Sequence, residues 1–326
     1  MNHPDQRLFI QEVATRDGFQ NEAQFIETAD KIAMVDALSQ CGYAKIEVTS
    51  FTSPKAITVL RDAEQVMQGI QRNPAVEYTV LVPNVRGAER ALACAIDEAN
   101  LVMSVSETHN RSNLRMTRDQ SFAQLKEVAI AIGTGPVAIN VSLSTVFGCP
   151  MEGDVPPSQV LRWVEDFANL GARGVTLCDT TGMAYPSQVQ ALSAAVRERF
   201  PELQLTLHFH NTRGMALANA LAAIEAGIDR FDASLGGLGG CPYAPGASGN
   251  VCTEDLVHML QLMGYDTGVD LNRVLAAAAR LPQLIGHEVP SQILKAGRRL
   301  DLHPIPARVT EMQAQIPSAQ LQESVK

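Results

Sequence analysis

His208 and His210 close a short apolar run, Leu203-Gln-Leu-Thr-Leu-His-Phe, that reads as a β-strand. Residues two apart on a strand point to one side. The two imidazoles therefore converge, and neutral imidazoles aimed at one point suit a divalent cation. The alternative for the pair alone is a structural role, bonded to backbone groups. Two more residues favour the metal. Asp17 sits in an Arg16-Asp17-Gly18 turn after the first strand-like run, and Asn250 ends a Gly-rich stretch that begins at Gly236. A carboxylate and an amide oxygen are hard ligands, so the mixed N/O set fits Mg²⁺ or Mn²⁺, with Zn²⁺ or Co²⁺ also compatible. Four protein ligands leave room in an octahedron for substrate oxygens or water.

Arg16 adjoins Asp17, and a guanidinium there can stabilise negative charge on a substrate oxygen. Its alternative is an ion pair with Glu47 or Asp179 that holds the site together. Those two carboxylates can orient Arg16 and the ligands, contact substrate, or both. Cys241 follows Gly236-Gly-Leu-Gly-Gly in what reads as a mobile loop, where a thiol can serve as general acid or base. The glycines match neither a dinucleotide fingerprint nor a P-loop.

These residues need a scaffold. Strand-like runs fall at 8–14, 44–48, 78–82, 100–104, 137–142, 174–178, 203–209 and 230–233. Helix-like stretches alternate with them at 28–41, 53–71, 86–97, 119–132, 157–170, 186–199, 213–226 and 253–263. Eight βα units predict an α/β chain folded as a (β/α)8 TIM barrel, with an open doubly wound sheet as the competitor. Catalytic groups of such barrels sit at the C-terminal strand ends. Arg16, Asp17, Glu47, Ser50, Ser142, Asp179, Thr180, His208, His210 and the Cys241–Asn250 loop all fall there. One further helix is expected over 270–285. The expected organisation is one barrel domain with a C-terminal helical extension, 1–303, then a poorly ordered tail, 304–326.

Composition narrows the class. The 326 residues are 46% hydrophobic and 19% charged, enough for a large core. A formal net charge of −9 argues against a nucleic-acid partner. The six cysteines form no C-x-x-C pair and read as reduced thiols of a cytoplasmic enzyme. No signal-peptide pattern and no run of about 18 apolar residues is present, so no membrane span is expected.

Four segments carry a resemblance: Val13–Glu22 with its Arg-Asp-Gly, Ile46–Phe51, His208–Asn219, and above all Gly237-Leu-Gly-Gly-Cys-Pro-Tyr-Ala-Pro-Gly-Ala-Ser-Gly-Asn250. Over about residues 8–285 the chain resembles hydroxymethylglutaryl-CoA lyases, of the metal-dependent TIM-barrel lyase superfamily. The resemblance implies retro-Claisen cleavage of a 3-hydroxy-3-methylglutaryl-CoA-type substrate to acetyl-CoA and a 3-keto acid such as acetoacetate, as in leucine degradation. It implies a metal on Asp17, His208, His210 and Asn250, and Arg16 and Glu47 at the reacting centre. Cys241 would exchange a proton, assisted by Asp17 or His208. Substrate contacts fall to Arg16, Glu47, Ser50, Ser142, Asp179, Thr180 and Arg213. A homodimer or higher homo-oligomer is implied. The chain departs from the family's pattern at Ala23, at Asn140 and Ser142 (where members carry Arg and Tyr), and at Asn211-Thr-Arg213. Those changes alter the pocket wall and admit other C3 substituents; Arg213 reads as a surface charge or a carboxylate binder. The competing readings are a Claisen-type condensing enzyme that uses a 2-keto acid, and a non-catalytic metal-binding barrel.

Overall fold

Eight parallel strands close on themselves in sequence order. They are β1 Phe9–Glu12, β2 Lys45–Ser50, β3 Glu77–Leu81, β4 Glu98–Ser104, β5 Ala138–Ser144, β6 Gly174–Asp179, β7 Gln204–Phe209 and β8 Arg230–Ala233. The expected barrel is present, sealed by pairing of β1 with β8. This is a computed structural model, and it describes residues 6–240 and 249–314.

Period-2 alternation decides which residues face the axis. On β4 and β5, Ala99, Leu101, Met103, Ile139, Val141 and Leu143 join the hydrophobic core. The residues between them, Glu98, Asn100 and Asn140, line the barrel interior instead. Barrel interiors are ordinarily filled by branched apolar side chains. Here the inward layers are polar, and they are held by mutual hydrogen bonds. At the N-terminal strand ends Lys45 pairs with Glu98, and Arg173 pairs with Glu98 and Glu77. Higher up, Gln11 donates to Thr206 at 3.0 Å.

The helical ring comprises α1 Thr28–Leu38, α2 Ala63–Gly69, α3 Val85–Leu92, α4 Glu107–Leu114, α5 Arg118–Ile132, α6 Pro157–Asn169, α7 Pro186–Arg199, α8 Ala216–Glu225 and α9 Thr253–Leu262. The single helix expected over 53–71 is a 3₁₀ turn, Thr58–Leu60, followed by α2. The Val59 carbonyl there accepts from buried Lys31, so it serves a tertiary contact. Helix α4 escapes the apolar-period criterion because Glu-Thr-His-Asn-Arg-Ser-Asn-Leu has no apolar stripe. It is started by Ser106, whose side chain caps His109 N. Helix α8 begins at Ala216, not 213, where Asn211 Oδ1 accepts from its first N–H. The expected helix over 270–285 is two, α10 Leu271–Ala278 and α11 Leu281–Ile285. Pro282 sits in the first turn of α11, where a missing N–H is tolerated. Two short helices follow, α12 Gln292–Ala296 and α13 Ala307–Ala314, the latter inside the segment expected as a poorly ordered tail.

Candidate metal centre and active site

Asp17 owes its place to a wide turn. The N–H groups of Arg16, Asp17 and Gly18 all point at Val13 O, at 3.1, 2.7 and 3.4 Å, so Ala14–Gly18 folds back over the end of β1. Glu12 anchors the turn from below. Its Oε1 accepts from Ala14 N and Leu235 N, both at 2.9 Å, and its Oε2 from Thr253 Oγ1 at 2.8 Å. One buried carboxylate thus joins the β1 turn, the loop after β8 and the start of α9. Burial pushes that carboxyl up to about 7, against the pull of its three donors.

His208 is the penultimate residue of β7 and His210 lies just beyond its end. Residues 249–252 run alongside that end. Asn211 N donates to Gly249 O at 2.9 Å, Val251 N donates to Phe209 O at 2.8 Å, and His210 and Asn250 bridge directly. The result brings Asp17, His208 and His210 together with donor atoms all within 4.8 Å of one another. Asn250 donates through Nδ2 to Asp17 Oδ2 at 2.7 Å and to Leu238 O at 2.9 Å. Its Oδ1 and His210 Nδ1 are buried without a protein partner. Orphaned buried acceptors are costly unless something fills them. Two imidazoles, a carboxylate and an unpaired amide oxygen fit a divalent cation.

Charge divides the two histidines. His208 Nδ1 lies 3.1 Å from Asp232 Oδ2, and Nε2 lies 4.0 Å from Asp17 Oδ2. Burial works against its protonation, but the bond and charge of Asp232, with Asp17, raise its pKa above the ordinary value. His210 is pushed down to about 3 by burial and by His208, so it stays neutral with lone pairs to offer. Asp17 is held at about 2: burial pushes it up, and Arg16, both histidines and Asn250 more than offset that. Asp232 escaped the sequence reading. A lone acid at alternate position in Arg230-Phe-Asp-Ala has no partner in sequence, and only the register His208↔Asp232 supplies one.

Arg16 takes the expected ion pair with Glu47. Its Nε and NH2 both contact Glu47 Oε2 at 2.6 Å, and NH1 donates to Asp17 Oδ1 at 2.7 Å. Asp179 is no partner of Arg16: its Oδ1 caps Met183 N at 2.7 Å and Ala184 N at 3.1 Å, while Oδ2 is buried and unpaired. Burial lifts this carboxyl to about 6. Glu47 lies at a register shift between β2 and β3, a local irregularity of the kind that re-aims side chains near active sites.

The remaining expected residues are engaged locally. Ser50 Oγ contacts Thr52 Oγ1 at 2.8 Å. Thr180 Oγ1 accepts from Thr145 N at 2.9 Å. Arg213 donates NH1 to Thr181 O at 3.1 Å and Gly182 O at 2.7 Å, which braces the loop after β6. Ser142 Oγ donates to Asn100 Oδ1 at 3.0 Å. Cys241 lies outside the described residues. The described part of its loop touches the centre through Gly239, with φ +95°. A Cβ there would meet Asn250 Nδ2 at 2.6 Å and Asp17 Oδ2 at 3.1 Å.

The HMGL-like family model matches residues 7–281 of the chain. Hydroxymethylglutaryl-CoA lyase YngG of Bacillus subtilis (strain 168) is 48% identical over 289 residues, 89% of this chain and 97% of that protein. The (R)-citramalyl-CoA lyase of Chloroflexus aurantiacus is 39% identical over 298 residues, 88% of this chain and 94% of that protein. An HMG-CoA lyase from Acinetobacter baumannii, solved in complex with coenzyme A and 3-methylmalate, superposes with a TM-score of 0.89 at 50% identity. It covers 94% of this chain and 100% of that one.

Proposed function

The chain belongs to the HMGL-like family, and on that premise we propose that it is a metal-dependent carbon–carbon lyase. Its substrate is 3-hydroxy-3-methylglutaryl-CoA or a close 3-hydroxy-3-alkylglutaryl-CoA, cleaved to acetyl-CoA and a 3-keto acid, acetoacetate for the methyl compound. The observation that carries this is the convergence of Asp17, His208 and His210 within 4.8 Å, beside the unpaired Asn250 amide oxygen and the Arg16 guanidinium. Those four ligands would hold Mg²⁺ or Mn²⁺. When bound, such a cation supplies Lewis acidity that eases loss of the proton from the substrate's tertiary hydroxyl.

The chain's own groups do the rest. The hydroxyl proton passes to Cys241, with Asp17 or His208 assisting. Cleavage of the C2–C3 bond turns C3 into the new ketone and leaves the electron pair as an enolate on the thioester fragment. Arg16, fixed by Glu47 and Asp17, faces that developing charge. Cys241, from its Gly-rich loop, delivers a proton to the enolate carbon, giving acetyl-CoA. A homo-oligomer in the cytoplasm completes the reading, supported by the family resemblance; among the described residues no helix is long and apolar enough to cross a membrane.

The test is direct. Chelator-stripped protein should cleave hydroxymethylglutaryl-CoA only after Mg²⁺ or Mn²⁺ is restored, releasing acetyl-CoA and acetoacetate in equal amounts. His210→Ala should lose both Mn²⁺ binding, read by electron paramagnetic resonance, and turnover. Metal-independent turnover, or wild-type Mn²⁺ affinity in His210→Ala, would refute the assignment. A second substrate, one methylene shorter, is favoured by the 39% identity to the citramalyl-CoA lyase. Release of a 2-keto acid from citramalyl-CoA in the same assay distinguishes it.

A further inference from the structure

Beneath Arg16 the hydrogen bonds run in one line across β2, β4 and β5. Arg16 engages a single oxygen of Glu47, Oε2. The other oxygen, Oε1, accepts from Asn100 Nδ2 at 2.8 Å. Asn100 Oδ1 in turn accepts twice, from Asn140 Nδ2 and Ser142 Oγ, both at 3.0 Å. Asn140 Nδ2 also reaches Thr176 Oγ1 at 3.0 Å. Glu47, Asn100, Asn140, Ser142 and Thr176 are all buried. The amide can stand only one way round. Turned over, its oxygen would face a carboxylate that has nothing to donate, and its NH₂ would face Asn140's NH₂. Glu47 sets that orientation, and Asn140 and Ser142, two short residues of β5, support it by donating to the Asn100 oxygen.

Packing alone does not hold the Glu47 carboxylate. A cavity of about 10 Å³, lined by Glu47, Thr79, Asn100, Asn140, Thr176 and Asp232 among others, lies beside it. That is space enough for about one water, so no side chain packs against the carboxylate on that side to stop it turning about its last bond. The bond from Asn100 closes off this rotation. We propose that Asn100 is a positioning residue for Arg16, acting through Glu47. The proposal deepens the lyase reading and rests on it for the role of Arg16. A guanidinium that faces the enolate only as charge develops contributes to kcat and not to ground-state binding.

The experiment pairs kinetics with crystallography. Asn100→Leu should lower kcat by about 10- to 100-fold, with KM and Mn²⁺ affinity near wild type. Ser142→Ala should shift kcat the same way by less. In a Glu47→Gln background, Asn100→Leu should cost nothing further, because the route to Arg16 is already cut. Crystal structures of wild type and Asn100→Leu should show Arg16 bonded to Glu47 in the first and swung away from it in the second. Melting and Mn²⁺ binding report folding; if the Leu variant is unfolded, Asn100→Ser, which keeps the interior polar, carries the same comparisons. An inactive wild type removes the lyase reading, while the crystallographic arm still judges the positioning. Arg16 and Glu47 unmoved in the variant, or losses that add fully in the double variant, overturn the proposal.

Discussion

Burial opposes charge on His208, and the neighbour that most favours it, Asp232, is no member of the proposed ligand set. Asp232 accepts at Nδ1, which fixes the tautomer and leaves Nε2 free to ligate. Asp232→Asn keeps the size and loses the charge. Its Mn²⁺ affinity is expected to fall about 10- to 100-fold, read by titration under electron paramagnetic resonance; unchanged affinity would show that His208 is oriented by packing alone. His208 and His210 were legible because they are two apart on a strand, and Asp17 because it abuts Arg16 and Gly18. Asp232, Asn100 and Glu12 were not, because each takes its meaning from partners on another strand or loop. Arg213 had two open readings, a surface charge or a carboxylate binder; it is exposed, and its NH1 is bonded to Thr181 O and Gly182 O.

The strands lie close to the runs that the sequence marks for them, and the helices less so. All eight strands stand where short β-branched and apolar runs fall, because a barrel strand buries both faces. Helix α4 was invisible because its start is a capping event and its residues are polar. The Gly-rich loop changed most in meaning. A mobile loop is expected there, and its described end presses backbone against Asn250 and Asp17. Gly239→Ala would place a methyl 2.6 Å from Asn250 Nδ2 at φ +95°, where a Cβ alone costs about 1–2 kcal/mol. It should weaken Mn²⁺ binding and kcat together. Gly135→Ala is the control: nothing lies within 4 Å of its added Cβ, and both quantities should stay at wild type. Equal behaviour of the two variants would mean the loop does not shape the centre.

Across the whole molecule the polar interior carries a pH signature. Glu12 is fully buried and its carboxyl is lifted from 4.5 to about 7. The folded state therefore binds its proton more tightly than the unfolded chain. Stability from this group is complete below about 4.5 and is lost as pH rises through about 7, roughly 3 kcal/mol in all. Glu12→Gln keeps an acceptor for Ala14 N and Leu235 N and cannot ionise. In urea unfolding, its stability relative to wild type should rise between about pH 4.5 and about pH 7 and level off above; a constant difference would show that the Glu12 pKa is the same folded and unfolded. Depression of His210 acts oppositely, so the comparison between variants isolates Glu12. Asp17 follows β1, the histidines end β7, and Asn250 follows β8, 233 residues from Asp17. Every ligand thus flanks the seam where the last strand meets the first. A chain caught before β8 docks owns all its imidazoles and carboxylates yet has no place for a cation. A cation held by these residues would clasp that seam, and the capacity to hold it would arrive in one step with closure.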